Sequence, residues 1–195
     1  MRIIAVLLCL GFSKAAAQDS IGSSTVLPAP GAAWLLDWIW YRSAQLKLGD
    51  LRDGPPAPAD AELRLWHGFG LTGVDLVVFR HESGAWRVSV AHLPDRGQEV
   101  RFRADTSSTP AAARWQNALD AGLRTLPLIP GARPGDMVTT DGFGAVLEWW
   151  EAGRYRAATA DHPDVYCTTN DRRAVAVIEA LLGHEWPRTP GACKT

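Results

Sequence analysis

Leu63-Arg64-Leu65-Trp66-His67-Gly68, Val74 to Phe79, Trp86-Arg87-Val88-Ser89-Val90-Ala91 and Val100-Arg101-Phe102-Arg103 decide the fold class. Apolar and polar residues alternate with period two in three of these segments, and 74–79 is almost wholly apolar. Short alternating runs separated by turns read as antiparallel strands with one face on the core and one face wet. Glu82-Ser83-Gly84 and Pro94-Asp95-Arg96-Gly97 supply turn residues between successive runs.

A second β-run follows at Met137 to Thr140, Phe143 to Trp150 and Tyr155 to Ala160, joined by Asp141-Gly142 and Ala152-Gly153. Asp-Gly is among the strongest short-range hairpin signals. Helices surround these runs. Ala32 to Leu46 carries Trp34, Leu35, Trp38, Ile39 and Leu46 on one stripe, with Trp40 and Tyr41 off it. Thr109-Pro110 reads as an N-cap and first helical residue, with Trp115, Ala118 and Leu119 as the inner face and Gly122 at the end. Asn170 or Asp171 caps a last helix whose inner face is Val175, Ile178, Leu181 and Leu182, and Gly183 ends it. The expected fold is therefore α+β: antiparallel sheet or sheets of about seven strands in two runs, with three helices packed on them.

Outside this body the N-terminus reads as an export signal. Arg2 precedes an apolar run from Ile3 to Phe12, and Ala15-Ala16-Ala17 before Gln18 is a small-x-small cleavage site. The run of about ten residues is shorter than the roughly 20 a bilayer span requires. Residues 1–17 are thus expected to be a signal peptide, 18–31 a Ser/Gly/Pro/Ala-rich flexible lead-in, and 32–195 one globular domain. Cleavage near Ala17 predicts a periplasmic or extracellular protein with no transmembrane segment in its mature chain.

Cleavage also removes Cys9 and leaves Cys167 and Cys193, an even count in an exported chain and hence an expected disulfide. The bond would close a loop of about 26 residues around the last helix and stabilise it by roughly 3.5 kcal/mol. Loss of Arg2 and Lys14 lowers the basic count from 20 to 18 against 21 acidic residues, a net charge of about −3. That balance lacks the electrostatic footprint of a phosphate-backbone binder, so nucleic acid is set aside as a partner. Lysine is scarce and arginine abundant, a composition of GC-rich bacterial coding.

Nine tryptophans stand out. Trp149-Trp150 lies on an expected strand between Glu148 and Glu151, where neighbours point to opposite faces. Either one ring faces outward as a recognition feature or a helix covers that face and both rings are core. Trp66 has the same ambiguity. Arg101 and Arg103, after Arg87 and Arg64, occupy alternate strand positions. They form either a guanidinium row for anionic ligands or an ordinary solvated face.

Asp161-His162-Pro163-Asp164 is the densest titratable cluster. His162 flanked by carboxylates has the makings of a general base, although the same residues serve as capping chemistry near a helix start. His67-Gly68-Phe69-Gly70 resembles the His-Gly-rich oxyanion loop of lipases, but the Gly-x-Ser-x-Gly elbow that comparison requires is missing. His81-Glu82 and His184-Glu185 lack the second histidine of a zinc-protease helix, and His92 has no partner nearby in sequence. No P-loop, dinucleotide fingerprint or Cys-x-x-Cys motif is present, so no metal and no cofactor is assigned.

Three functions follow as expectations. The first is an exported, non-enzymatic binding module that holds an envelope protein or glycan on an aromatic/arginine sheet surface built from Trp149, Trp150, Trp66, Arg101 and Arg103. The second is a small exported hydrolase with His162 as base and Asp161 or Asp164 orienting it. The third is a structural envelope protein whose tryptophans are all core.

Overall fold

The structure, a computed structural model, describes residues 30–70, 73–94, 100–127, 144–161, 163 and 167–186. Among the described residues the helices are α1 (Pro30–Gln45), α2 (Ala111–Asp120) and α3 (Thr169–Leu182). The strands among them are β1 (Ala59–Gly70), β2 (Gly73–Glu82), β3 (Ala85–Leu93), β4 (Arg103–Ala104), β5 (Gly144–Glu151) and β6 (Arg154–Asp161). They form one antiparallel sheet in the order β4-β3-β2-β1-β5-β6. The class is the expected α+β. The described residues hold one six-stranded sheet where about seven strands were expected, and the expected strand 137–140 lies outside the described residues.

Both expected runs share this sheet. The first is a meander from β1 to β4. The second is the β5–β6 hairpin, which joins the free side of β1 with Leu65 opposite Leu147 and Leu63 opposite Trp149. Ala152 and Gly153 both take positive φ, 50° and 74°, as a two-residue hairpin turn demands. Gly73, at the start of β2, has a packing role as well as a conformational one. Its φ is +125°, and a Cβ there would lie 2.1 Å from the Leu93 carbonyl oxygen. Only glycine lets β2 pass that close to the end of β3.

The expected wet face is covered. Leu63, Leu65, Val77, Phe79, Leu147 and Trp149 pack beneath α2 and α3, against Trp115, Ala118, Val177, Ile178 and Leu181. On the opposite face Trp66, Val74, Leu76, Val78 and Val146 pack beneath Ile39 of α1 and Leu48 just after it. Helices on both faces make three layers. Alternation misled because the even positions of β1 are polar at one end, at Glu62 and Arg64, yet both are buried.

Helix boundaries follow local chemistry more closely than residue type suggests. Thr168, not Asn170 or Asp171, is the N-cap of α3, and Asp171 completes a capping box by accepting the Thr168 N–H. Gly183 ends α3 in the left-handed conformation, as expected. Pro110 is the N-cap of α2 and no side chain caps that end, so Thr109 does not do so. Arg114 of α2 is buried and donates Nε to the Leu181 carbonyl at 2.6 Å, and it also pairs with Asp105. One guanidinium thereby ties α2, the end of α3 and the segment after β4.

Candidate functional site

The sheet separates the residues singled out from the sequence. Trp66 and Trp149 are 0% and 1% exposed, on opposite faces and in the two different cores. Their burial removes both from any accessible recognition surface. Trp150 is half-buried and packs on Gly54, where a Cβ would stand 3.6 Å from the indole. Asp161 ends β6, while His162 and Asp164 lie outside the described residues. Cys167 stands immediately before the α3 N-cap, and Cys193 lies outside the described residues.

The arginines do not form one row. Arg87 is opposite Arg80, and Arg64 is opposite Glu148, on the α1 face. Arg103 is opposite Val90, on the α2/α3 face. Directly opposed residues share a face, so the register itself splits the set. Arg101, Phe102, Arg103 and Ala104 are all exposed.

Three constellations remain. The first lies under α1. Arg64 is fully buried and donates Nε to Glu62 at 2.7 Å, Nη1 to Ser43 at 3.2 Å and to the Gly49 carbonyl at 3.0 Å, and Nη2 to the Leu48 carbonyl at 2.8 Å. Arg80 donates Nε to the other oxygen of Glu62 at 2.7 Å. Glu148 accepts from Trp66 Nε1 at 3.0 Å and from Tyr155 Oη at 3.2 Å. Burial pushes the Glu148 carboxyl above its ordinary range, against the pull of Arg64, Trp66 and Tyr155. Burial, then the neighbouring Glu148, pushes the Tyr155 hydroxyl up as well. Sealed by α1 and the 3-10 turn Leu51–Asp53, this network locks the helix to the sheet.

The second constellation was invisible in sequence. Asp75 of β2 is the register partner of both His67 on β1 and His92 on β3, and its carboxylate meets His92 Nδ1 at 2.8 Å. His67 also lies against Trp186, beyond α3, with ring centroids 5.7 Å apart. Three of the five histidines gather here, because His184 is close enough to act on His67. Strand register joins His67, Asp75 and His92, and the chain after α3 brings His184 to them, so no local motif could mark the cluster.

Burial lowers the His67 pKa from 6.5; His184 lowers it further, while Asp75 opposes the change. A histidine held less basic in the fold than in the open chain stabilises the fold above the unfolded value. That contribution is lost as pH falls from about 6.5 through the folded value. Chemical denaturation across that range is expected to show a fall in stability toward acid that His67→Gln flattens. An unchanged slope in the variant would assign the acid loss to other groups.

The third constellation lies at β4, the last strand on its side among the described residues. Phe102 is 37% exposed and, with Tyr41 of α1 at 62%, is one of two exposed large hydrophobic residues among those described. Arg101 and Arg103 flank it.

Among the described residues no group of three or more His, Cys, Asp or Glu is placed to hold a metal ion. Among them, too, no helix is long and apolar enough to cross a membrane. Comparison of the chain with protein-family models, curated proteins and solved structures returned no match.

Proposed function

We propose that this chain is an exported, non-enzymatic binding module that holds an envelope protein or glycan on an aromatic/arginine surface at the β4 edge. The observation that carries the reading is the exposed Phe102 between exposed Arg101 and Arg103. An aromatic ring with flanking guanidinium groups combines apolar contact with directed hydrogen bonding, the usual composition of an interface anchor. The surface is thus narrower than the five-residue set read from sequence. Trp66 and Trp149 serve the core, and Trp150 serves the loop at Gly54.

Export to the periplasm or medium rests on the basic start, the apolar run and the cleavage site near Ala17. The bonded state of Cys167 supports the Cys167–Cys193 disulfide, which would tie the tail to the start of α3. The test is affinity capture from a cell-envelope extract, using the full chain purified after export and a Phe102→Ala/Arg103→Ala variant of equal melting temperature. A partner retained by the native protein and lost by the variant is the expected result. Equal capture by both, or none by either, would overturn the reading.

A hydrolase is the second reading, and one observation favours it. Asp75 holds the His92 imidazole at 2.8 Å, as a carboxylate orients a catalytic base, and both side chains are about half exposed. The cluster Asp161, His162 and Asp164 is the other candidate base. Under this reading His92→Ala or His162→Ala abolishes turnover of a chromogenic ester panel and leaves capture intact. Absence of turnover by the native protein would end it.

A further inference from the structure

We propose that the chain leaving α3 is a pH-operated latch: protonation of His67 on β1 loosens Trp186 from the sheet, while the sheet and the helices stay folded.

One cross-strand row carries the latch. His92 of β3, Asp75 of β2, His67 of β1, Ala145 of β5 and Ala160 of β6 stand opposite one another in turn. Directly opposed residues share a face, so the row runs along the α2/α3 side of the sheet. It passes from water into the core: His92 and Asp75 are about half exposed, whereas Ala145 and Ala160 are buried. His67 is the half-buried step between the two ends. Trp186 is buried in the same core and lies against His67, with ring centroids 5.7 Å apart. A neutral imidazole suits that place. A charged one lacks water on the side that Trp186, Ala145 and Ala160 close.

Among the described residues the ionisable groups around this contact are Asp75 and His92 on the sheet, Glu179 on α3, and His184 and Glu185 on the chain beyond it. Asp75 attracts a positive charge on His67 but already meets His92 Nδ1 at 2.8 Å, and His184 opposes that charge. Burial outweighs the pull of Asp75 and holds the docked imidazole less basic than its ordinary value of 6.5. Once Trp186 leaves, His67 meets water and regains that value. The docked form then binds fewer protons than the released form, so docking weakens as pH falls from about 6.5.

The chain is built to move there without unwinding the helix. Gly183, at φ +74°, ends α3 in the left-handed conformation. Arg114 packs against Gly183 and holds the helix end itself through the Leu181 carbonyl at 2.6 Å. Beyond Gly183 the Trp186 amide donates to Glu179 Oε1 at 3.1 Å, and that bond reports whether the latch is shut. Opening it uncovers His67 and frees an indole ring.

Hydrogen exchange at the Trp186 amide, followed by NMR on the full chain, tests the latch. Between about pH 7.5 and about pH 5 its protection, corrected for the intrinsic rate, is expected to fall at least about threefold, and by no more than about tenfold per pH unit, the limit for one linked proton. The Ile178 amide inside α3 is expected to stay better protected at each pH, which marks the opening as local. His67→Gln is expected to abolish the fall. Glu179→Gln, whose amide oxygen still accepts the Trp186 N–H, is expected to keep it. Constant protection in the native protein would overturn the latch, as would a fall that persists in His67→Gln. Equal protection at Trp186 and Ile178 would also overturn it, since the opening would then be global. The ring titration of native His67 needs no variant: a fall that begins only below the pH at which that ring takes up its proton would assign the loss to another group.

Discussion

Arg64→Met is expected to destabilise the fold by about 3–5 kcal/mol, the cost of removing one partner from a buried ionic network. A domain is held by only about 5–15 kcal/mol, so this one change would consume a large part of its stability. The side chain removed is fully buried and serves β1, α1 and the loop after α1 together, through Glu62, Ser43, Leu48 and Gly49. Methionine fills similar volume, so the loss reports the missing charge and donors more than a cavity. Glu62 keeps Arg80, but Glu148 loses the cation directly across from it.

The sign with pH separates this account from simple loss of packing. Burial already raises the Glu148 carboxyl above 4.5, and Arg64 is the first group that opposes the rise. Without Arg64 the folded protein prefers a neutral Glu148 more strongly. A carboxyl raised by folding contributes stability that is full below its unfolded value and lost as pH rises through its folded value. The gap between native and Arg64→Met, measured by urea denaturation, is therefore expected to widen as pH rises above the ordinary glutamate range. Adding Glu148→Gln to Arg64→Met is expected to recover part of the loss and remove that widening. A pH-independent gap that Glu148→Gln does not narrow would assign the damage to packing alone.

The sequence carried the sheet well because period two is a strong signal wherever one side of a strand is uniformly apolar, as Leu63, Leu65, Phe79 and Leu147 are. It misjudged the second side because polar residues at Glu62, Arg64 and Glu148 look solvated in one dimension. They become core only when β2, β1 and β5 place them together under α1. Capping shows the same limit on a smaller scale: Thr168 precedes two residues with better intrinsic claims, and the box it forms with Asp171 decided the boundary. The histidine cluster around Asp75 is legible only in three dimensions: strand register sets His67 and His92 beside Asp75, and the chain leaving α3 brings His184 to His67. By contrast, Arg101 and Arg103 were legible as exposed, and the structure added Phe102 between them. The candidate site is thus half composition, which a sequence displays, and half register, which it does not.

Trp149→Ala and Trp150→Ala are expected to part company, although the two residues are adjacent and chemically identical. Trp149 lies 1% exposed beneath α2 and α3, and deleting it leaves a large void in the larger core. Truncation of a buried tryptophan costs about 3–5 kcal/mol, and at roughly 2–4 °C per kcal/mol the melting temperature should fall by about 6–20 °C. Trp150 points to the other face, where it covers Gly54 and stands opposite Tyr155 and Glu62. A half-buried ring that seals a loop loses less apolar burial on truncation, and about 1–2 kcal/mol is expected. Thermal unfolding of the two single variants measures the difference, and acrylamide quenching of the native protein should find Trp149 protected. Equal losses would mean that the loop from Gly49 to Gly54 is held as tightly as the core itself. The asymmetry also governs how binding experiments are read: a partner lost with Trp149→Ala reports a damaged fold, whereas one lost with Phe102→Ala/Arg103→Ala at unchanged melting temperature reports a surface.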